Sequence, residues 1–184
     1  MNNSYNFFKE IKLHNICEQD IYRETLNYIF FEDGNAIASS GSILVICPIR
    51  EISNLSDEDI EKLNGHLIHR SNYEKLIKLQ NITDISENEI VAVEKKTGFV
   101  MNFPLLKNGE NENGVKFPNY KAVIDNIKKQ EQTEEIAIDA IQLFKLVSSV
   151  NKTSPILTPN GSGVIKVRFL DSLIRGIIMP IRYD

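Results

Sequence analysis

The chain has 184 residues, 42% of them hydrophobic and 25% charged, the balance of an ordinary globular protein. That excludes a disordered chain, a collagen-like repeat and a disulfide scaffold, and no apolar run approaches the roughly 18 residues of a membrane span. The 25 acidic and 21 basic residues leave a formal charge of -4, so bulk charge does not drive binding to a polyanion, although a local basic face can sit on an acidic body.

Phe7 to Leu13 alternates in its later part and predicts a strand. Cys17 to Leu26 is polar and admits a short helix. Asn27-Tyr-Ile-Phe-Phe-Glu32 is aromatic and β-branched, the composition of a strand. Asp33-Gly34 follows, a two-residue hairpin signal, because both central positions of a type I′ turn need positive φ. The chain returns through Asn35 to Ser39, and Ile43 to Ile46 is a further strand. Residues 51–62 are acidic; Ser56 with Asp59 predicts a capped helix over Asp57 to Leu63, ended by Gly65.

A clearer unit comes next. Leu67 to Arg70 predicts a strand, and Ser71-Asn-Tyr-Glu74 a capping box that opens a helix over Asn72 to Leu79. Glu89 to Glu94 and Phe99 to Phe103 are strands around a Lys96-Thr-Gly98 turn, with Pro104 limiting the second. Residues 107–114 are a loop, Phe117 to Ile124 ends in a short helix, and 125–135 is a polar connection.

The final unit repeats this order. Glu135 to Ile138 is a strand, and Asp139 caps a helix from Ala140 to about Val150, with Ile141, Phe144, Leu146 and Val147 as core positions. A Ser/Thr/Pro/Gly-rich loop covers 152–163. Val164 to Phe169 alternates as a half-buried strand, Asp171-Ser172 turns, and Leu173 to Ile181 is the last strand. A strand–helix–strand–strand pattern therefore occurs at 67–103 and at 135–181, and 7–46 reads as a third copy with a short or missing helix. The hairpin turns argue for antiparallel sheets with helices on one side, an α+β fold.

Catalytic motifs are lacking. There is no phosphate-binding glycine loop and no nucleophile elbow. His66 and His69, three apart on a predicted strand, point to opposite faces and do not make a metal pair. His14 has no partner in sequence, and Glu87 with Glu89 suggests no acid–base pair. Cys17 and Cys47 form no Cys-x-x-Cys, and Met1-Asn-Asn-Ser-Tyr-Asn lacks the features of a signal peptide. The expectation is a cytoplasmic protein with reduced thiols and no cofactor.

Three segments carry a family resemblance. Tyr28-Ile-Phe-Phe-Glu-Asp-Gly-Asn-Ala-Ile-Ala-Ser-Ser-Gly-Ser-Ile-Leu-Val45 resembles the sheet hairpin of bacterial sliding clamps, the beta subunit of DNA polymerase III. Phe117-Pro-Asn-Tyr-Lys-Ala-Val-Ile124 is similar to the segment that begins a new domain in that family. Gly176-Ile-Ile-Met-Pro-Ile-Arg182 resembles its C-terminal ending. The resemblance covers most of the chain from about residue 26. Ser39-Ser40-Gly41 replaces the family's Ala-Thr-Asp stretch, and a full clamp subunit carries more units than this chain.

The resemblance implies a DNA-clamp-like fold, with a clamp-like domain over 1–116 and a further half-domain over 117–184. It implies a non-enzymatic protein that tethers replication or repair proteins to double-stranded DNA. Homo-oligomerisation follows, because one such chain cannot encircle a duplex. In that family helices line a hole and basic side chains face the phosphates, a non-specific and salt-sensitive contact. Carried over, the DNA-facing candidates are Lys75 and Lys78, three apart on one helix, with Lys121, Lys128, Lys129, Lys145 and Lys152. The competing reading is ordinary solvent-facing lysine, which Glu74 beside Lys75 favours. The family also binds partner peptides in an apolar pocket, and Ile178, Met179, Pro180 and Ile181 stand at the matching end; methionine among aliphatics makes an adaptable surface. The competing reading is a last strand that buries one face. The alternative function is a protein-interaction module that keeps the clamp-like fold and has lost DNA binding. A hydrolase would need a pocket with convergent polar groups.

Overall fold

The computed structural model describes residues 5–19, 21–79, 81–112, 114–128, 137–160 and 164–179, and all side chains within them but those of 21 and 126–128. The hairpin at Asp33-Gly34 forms, with φ of 51° and 71° at the two turn residues, as a tight turn between right-twisted strands requires. It joins β1 (Tyr28–Glu32) to β2 (Asn35–Ser39) with Glu32 opposite Asn35. Ser40-Gly41-Ser42 then leads into β3 (Ile43–Pro48). Here Ser39 Oγ donates to the Ile43 carbonyl at 2.9 Å and accepts from Gly41 N–H at 3.1 Å.

Two short helices follow, α1 (Ile49–Ile52) and α2 (Asp57–Leu63). Ser56 caps α2 as expected: its Oγ accepts from Asp59 N–H at 3.2 Å and donates to the Asp59 carboxylate at 2.6 Å. β4 (His66–His69) runs directly into α3 (Arg70–Leu79). A meander of β5 (Ile82–Ile85), β6 (Glu89–Val93) and β7 (Val100–Lys107) comes next. The loop after it is closed by Asn111, whose side chain accepts from Val115 N–H at 2.9 Å and donates to the Val115 carbonyl at 2.7 Å. α4 (Tyr120–Lys128) and α5 (Ala140–Ser149) follow, α5 capped by Asp139, which accepts from Ile141 N–H at 2.8 Å. The last meander is β8 (Pro155–Asn160), β9 (Val164–Phe169) and β10 (Arg175–Ile178).

Among the described residues ten strands form one sheet, in the order β5-β6-β7-β4-β1-β2-β3-β10-β9-β8, and the paired strands are antiparallel. The α+β class with an antiparallel sheet is thus the observed one. The repeated unit is a helical segment followed by three strands. α3 precedes β5–β7 and α5 precedes β8–β10, while two 3-10 pieces, Leu13–Asn15 and Ile21–Asn27, stand before β1–β3.

The sheet carries two apolar layers. On the first face Ile29, Phe31, Ala36, Ala38, Val45 and Cys47 pack with Tyr73, Leu76 and Ile77 of α3 and Leu146 of α5. On the second face Tyr28, Phe30, Ile37, Leu44 and Leu67 are covered by Val115 and Phe117, with Tyr120 of α4 alongside. α4 therefore begins on the face opposite to α3 and α5. Burial on both sides explains why Tyr28-Ile-Phe-Phe31 is continuously apolar rather than alternating. From Ile165 on, β9 alternates because its Ile165, Val167 and Phe169 face is covered while Lys166 and Arg168 are exposed.

Several expectations are corrected. Phe7 to Leu13 is not a strand: Phe7 makes one isolated bridge to Ser53, and the chain turns before a 3-10 segment. Its apolar side chains still fill the first core, where the third helix would otherwise pack. The capping box at Ser71 does not form, because α3 starts at Arg70. Ser71 Oγ instead lies 2.7 Å from His69 Nδ1, and Glu74 accepts from Lys78 Nζ at 2.7 Å. Pro104 does not end β7. It lies opposite Glu89, one residue before the β4 ladder begins at Leu105, at the changeover of partners, where a missing N–H is tolerated. Residues 155–160 form an edge strand despite two prolines, for the same reason. Residues 137–138 are not in a strand, while 135–136 lie outside the described residues, and β10 begins at Arg175 rather than at Leu173. Ile141 and Phe144 are 74% and 72% exposed, whereas Leu146 is buried and Val147 packs against the core. The helix turns the side that carries Leu143, Leu146 and Val147 inward, against the first core.

Gly176 on β10 lies beneath α5. A Cβ there would sit 2.7 Å from Leu146 Cδ2, and Leu146 is fully buried. Gly176→Ala is expected to cost about 1–3 kcal/mol by overpacking. Leu146→Ala alone costs about 2–5 kcal/mol. The double variant should be less destabilised than the sum in urea unfolding, because the clash and the cavity offset each other.

Candidate functional site

One of two open sites on the second face is an apolar cleft of about 250 Å³ at the C-terminal end of β10. Leu44 of β3 and Ile177 of β10 form its floor, Leu26 and Phe117 its sides, and Val123 and Met179 its rim. Met179 N–H donates to the Ser42 carbonyl at 2.9 Å, which prolongs the β3–β10 ladder to the rim. Val123 and Met179 remain 41% and 46% exposed. Aliphatic walls with a methionine at the mouth suit an apolar side chain from outside.

The wall made by α4 is tied down from both ends of its first turn. Asn119 Oδ1 accepts from Ala122 N–H at 3.2 Å, an N-cap. Phe117 stacks on Phe30 with centroids 5.4 Å apart. Tyr120 OH donates to Glu32 Oε2 at 2.6 Å, and Lys121 Nζ reaches Glu32 at 2.9 Å and Asp33 at 3.0 Å. Burial first, then the bond to Glu32, push the Tyr120 hydroxyl above its ordinary pKa. The two carboxylates at the hairpin turn raise Lys121.

Of the expected pocket residues, Met179 lines the cleft, while Ile178 points the other way and is fully buried in the first core. Pro180 and Ile181 lie outside the described residues. Leu26, Leu44, Phe117, Val123 and Ile177 were not among the expected pocket residues. They come from four separate segments, and within a strand apolar on both faces nothing marks Leu44 as the open one. The signal for all but Leu26 was the resemblance, whose segments hold Leu44 (28–45), Phe117 and Val123 (117–124) and Ile177 (176–182).

The candidate lysines divide between the two faces. Lys75 and Lys78 stand exposed on α3, with Lys78 paired to Glu74 at 2.7 Å. Lys145 on α5 and Lys152 after it are half-buried on the same side. Lys121 lies on the opposite face, engaged by Glu32 and Asp33. Lys128 closes α4, and Lys129 lies outside the described residues. Ile141 and Phe144 occupy the solvent side of α5. Beside α3, His14 is buried with Nδ1 unpartnered among the described residues. Burial lowers its pKa, Glu74 opposes this, and Arg70, Lys78 and Lys12 add to it.

His66 and His69 do lie on opposite faces, opposite Phe31 and Tyr28 respectively. Among the described residues no group of three His, Cys, Asp or Glu could hold a metal ion, and no helix is long and apolar enough to cross a membrane. Cys17 and Cys47 are free and buried; burial raises both thiols, Cys17 to about 12.

No family model matches the chain, and no curated protein matches it. Among solved structures it is similar to the DNA polymerase III subunit beta from Borrelia burgdorferi, determined in complex with a natural product. The TM-score is 0.56 at 12% sequence identity, over 100% of this chain and 65% of that one. The fold is therefore clamp-like, and this chain spans about 65% of the length of that protein.

Two outcomes are expected. Tyr120→Phe removes a hydrogen bond to a carboxylate and should cost about 1–2 kcal/mol, with faster amide exchange over 117–124 than in the rest of the sheet. Burial holds the His14 pKa in the folded chain below its ordinary value of about 6.5, so as the pH falls through that value the unfolded chain takes up a proton more readily than the folded one, and stability falls. His14→Phe keeps the ring contact to Tyr73, 6.3 Å between centroids, and should lose less stability than the wild type between pH 7 and pH 5, measured by urea denaturation at each pH.

Proposed function

We propose that this chain is a non-enzymatic, sliding-clamp-like tether that captures replication or repair proteins by an apolar segment inserted into the Met179 cleft. The observation that carries the reading is the cleft itself, an apolar site held open on a clamp-like fold. Residues 1–116 act as a clamp-like domain, and 117–184 as a half-domain packed with it through the β3–β10 ladder. Duplex DNA is met by the helix-bearing face through Lys75, Lys145 and Lys152, in a homo-oligomer that surrounds it. Each contact of that kind exchanges a counterion, so binding falls steeply with salt.

A second reading is an interaction module that keeps the cleft and has lost DNA. It is favoured by Ile141 and Phe144 on the solvent side of α5, where a phosphate-facing helix would carry cations. It is favoured too by the engagement of Lys78 and Lys121 with neighbouring carboxylates.

Light scattering on the purified protein, alone and with circular duplex at low salt, separates the two. The tether reading expects a ring-sized oligomer that is retained on circular DNA and released on linearisation. A monomer that ignores DNA decides for the module. In either case Val123→Asp should abolish capture of apolar peptides while leaving the oligomeric state unchanged.

A further inference from the structure

Beside the Met179 cleft, on the same face, lies a larger one of about 410 Å³ over β3, β10, β9 and β8. Strand register fixes its floor. Ile46 lies opposite Arg175, and Arg175 opposite Arg168. One rung along, Leu44 lies opposite Ile177, Ile177 opposite Lys166, and Lys166 opposite Thr158. Ile124 of α4 closes one side. Leu44 and Ile177 line both clefts, so the two are contiguous.

Lys166, Arg168 and Arg175 are exposed on this floor. Among the described residues none of them has an ion-pair partner. The chain holds 25 acidic residues against 21 basic ones, yet among the described residues no carboxylate pairs with this patch. Arg168 and Arg175 sit directly opposite each other, an arrangement of like charges that costs folding stability. Neighbouring strands are about 4.8 Å apart and alternate residues about 7 Å apart along a strand. The three cations therefore form a compact patch, suited to one or two carboxylates in bidentate contact with arginine.

We propose that the two clefts form one groove that reads a partner peptide by an aliphatic anchor and by acidic residues beside it. The anchor enters the Met179 cleft, and the carboxylates lie over Arg175, Arg168 and Lys166. The inference rests on the peptide-capture reading above and adds the charge of the partner. Among the described residues the larger cleft is lined by aliphatic and basic side chains and Thr158 without an aromatic ring, and Phe117 and Tyr120 line only the Met179 cleft. That favours a peptide over single-stranded nucleic acid, whose bases stack on aromatic platforms.

The test uses the full chain and two fluorescein-labelled peptides in anisotropy titrations at low salt. One carries two leucines followed by three aspartates, and its twin carries asparagines instead. The aspartate peptide should bind about tenfold more tightly, the size of one charge-assisted contact. The double variant Arg168→Gln, Arg175→Gln should erase that difference and leave the affinity of the asparagine twin unchanged. Its unfolding midpoint should equal or exceed that of the wild type, because the opposed charges are gone. Equal binding of the twins to the wild type would overturn the inference and leave peptide capture standing. Failure of both peptides to bind would overturn peptide capture and the inference with it. Oligothymidylate that binds the wild type, is lost in the double variant and is not displaced by the aspartate peptide would assign the cleft to nucleic acid and overturn the inference.

Discussion

The ladder between β3 and β10 pairs Ile43 to Ile46 with Ile178 to Arg175. It joins the first meander of the chain to the last, across more than a hundred residues of sequence. Each face of the ladder then has a separate consequence. On the first face Gly176 provides the thin spot into which Leu146 of α5 fits. On the second face Leu44 and Ile177 are brought side by side as the shared floor of two clefts. Without this pairing the β8–β10 meander would present a bare edge, and neither cleft would have a floor.

The clefts exist because the second face is covered only in part. Phe117 and Tyr120 reach over Phe30 and seal the centre of the sheet. The seal is anchored by Glu32 and Asp33, the two acids at the hairpin turn, through Tyr120 and Lys121. Among the described residues that cover does not extend over the neighbouring part of β3 and β10, where Ile46 and Ile177 are half-buried. Apolar surface at the margin of a core is a normal place for a docking site. The same margin carries cations of β9 and β10 that have no ion-pair partner among the described residues, which gives a chain of net charge -4 a local positive region. The lysines of α3 and α5 form a separate region on the other side of the sheet. The ten strands keep the two apart.

The elements that were legible in the sequence are those fixed by neighbouring residues. Asp33-Gly34 dictates its turn through backbone φ, Ser56 and Asp139 dictate their caps through side-chain oxygens, and β9 shows its alternation directly. What escaped were elements settled by distant partners. β8 forms with two prolines because β9 lies beside it, and β7 passes Pro104 because its ladder changes from β6 to β4. Phe7, Ile11 and Leu13 fill a core from outside any strand or α-helix because they pack there with Tyr73 and Leu76 of α3. At the site, Met179 was legible from the C-terminal motif. Its neighbours Leu44 and Val123 were not, since an apolar residue reads the same in sequence whether its face is sealed or open.

By itself, then, the sequence determined the class of the fold, the central hairpin, the caps at Ser56 and Asp139 and the segment that ends at the cleft, because each depends on contacts within a few residues. Only the tertiary structure decided which strands pair, which face α4 covers, and which lysines share a surface. Those outcomes turn on burial and register between segments far apart in the chain, and a one-residue change of register would send every side chain of a strand to the other face.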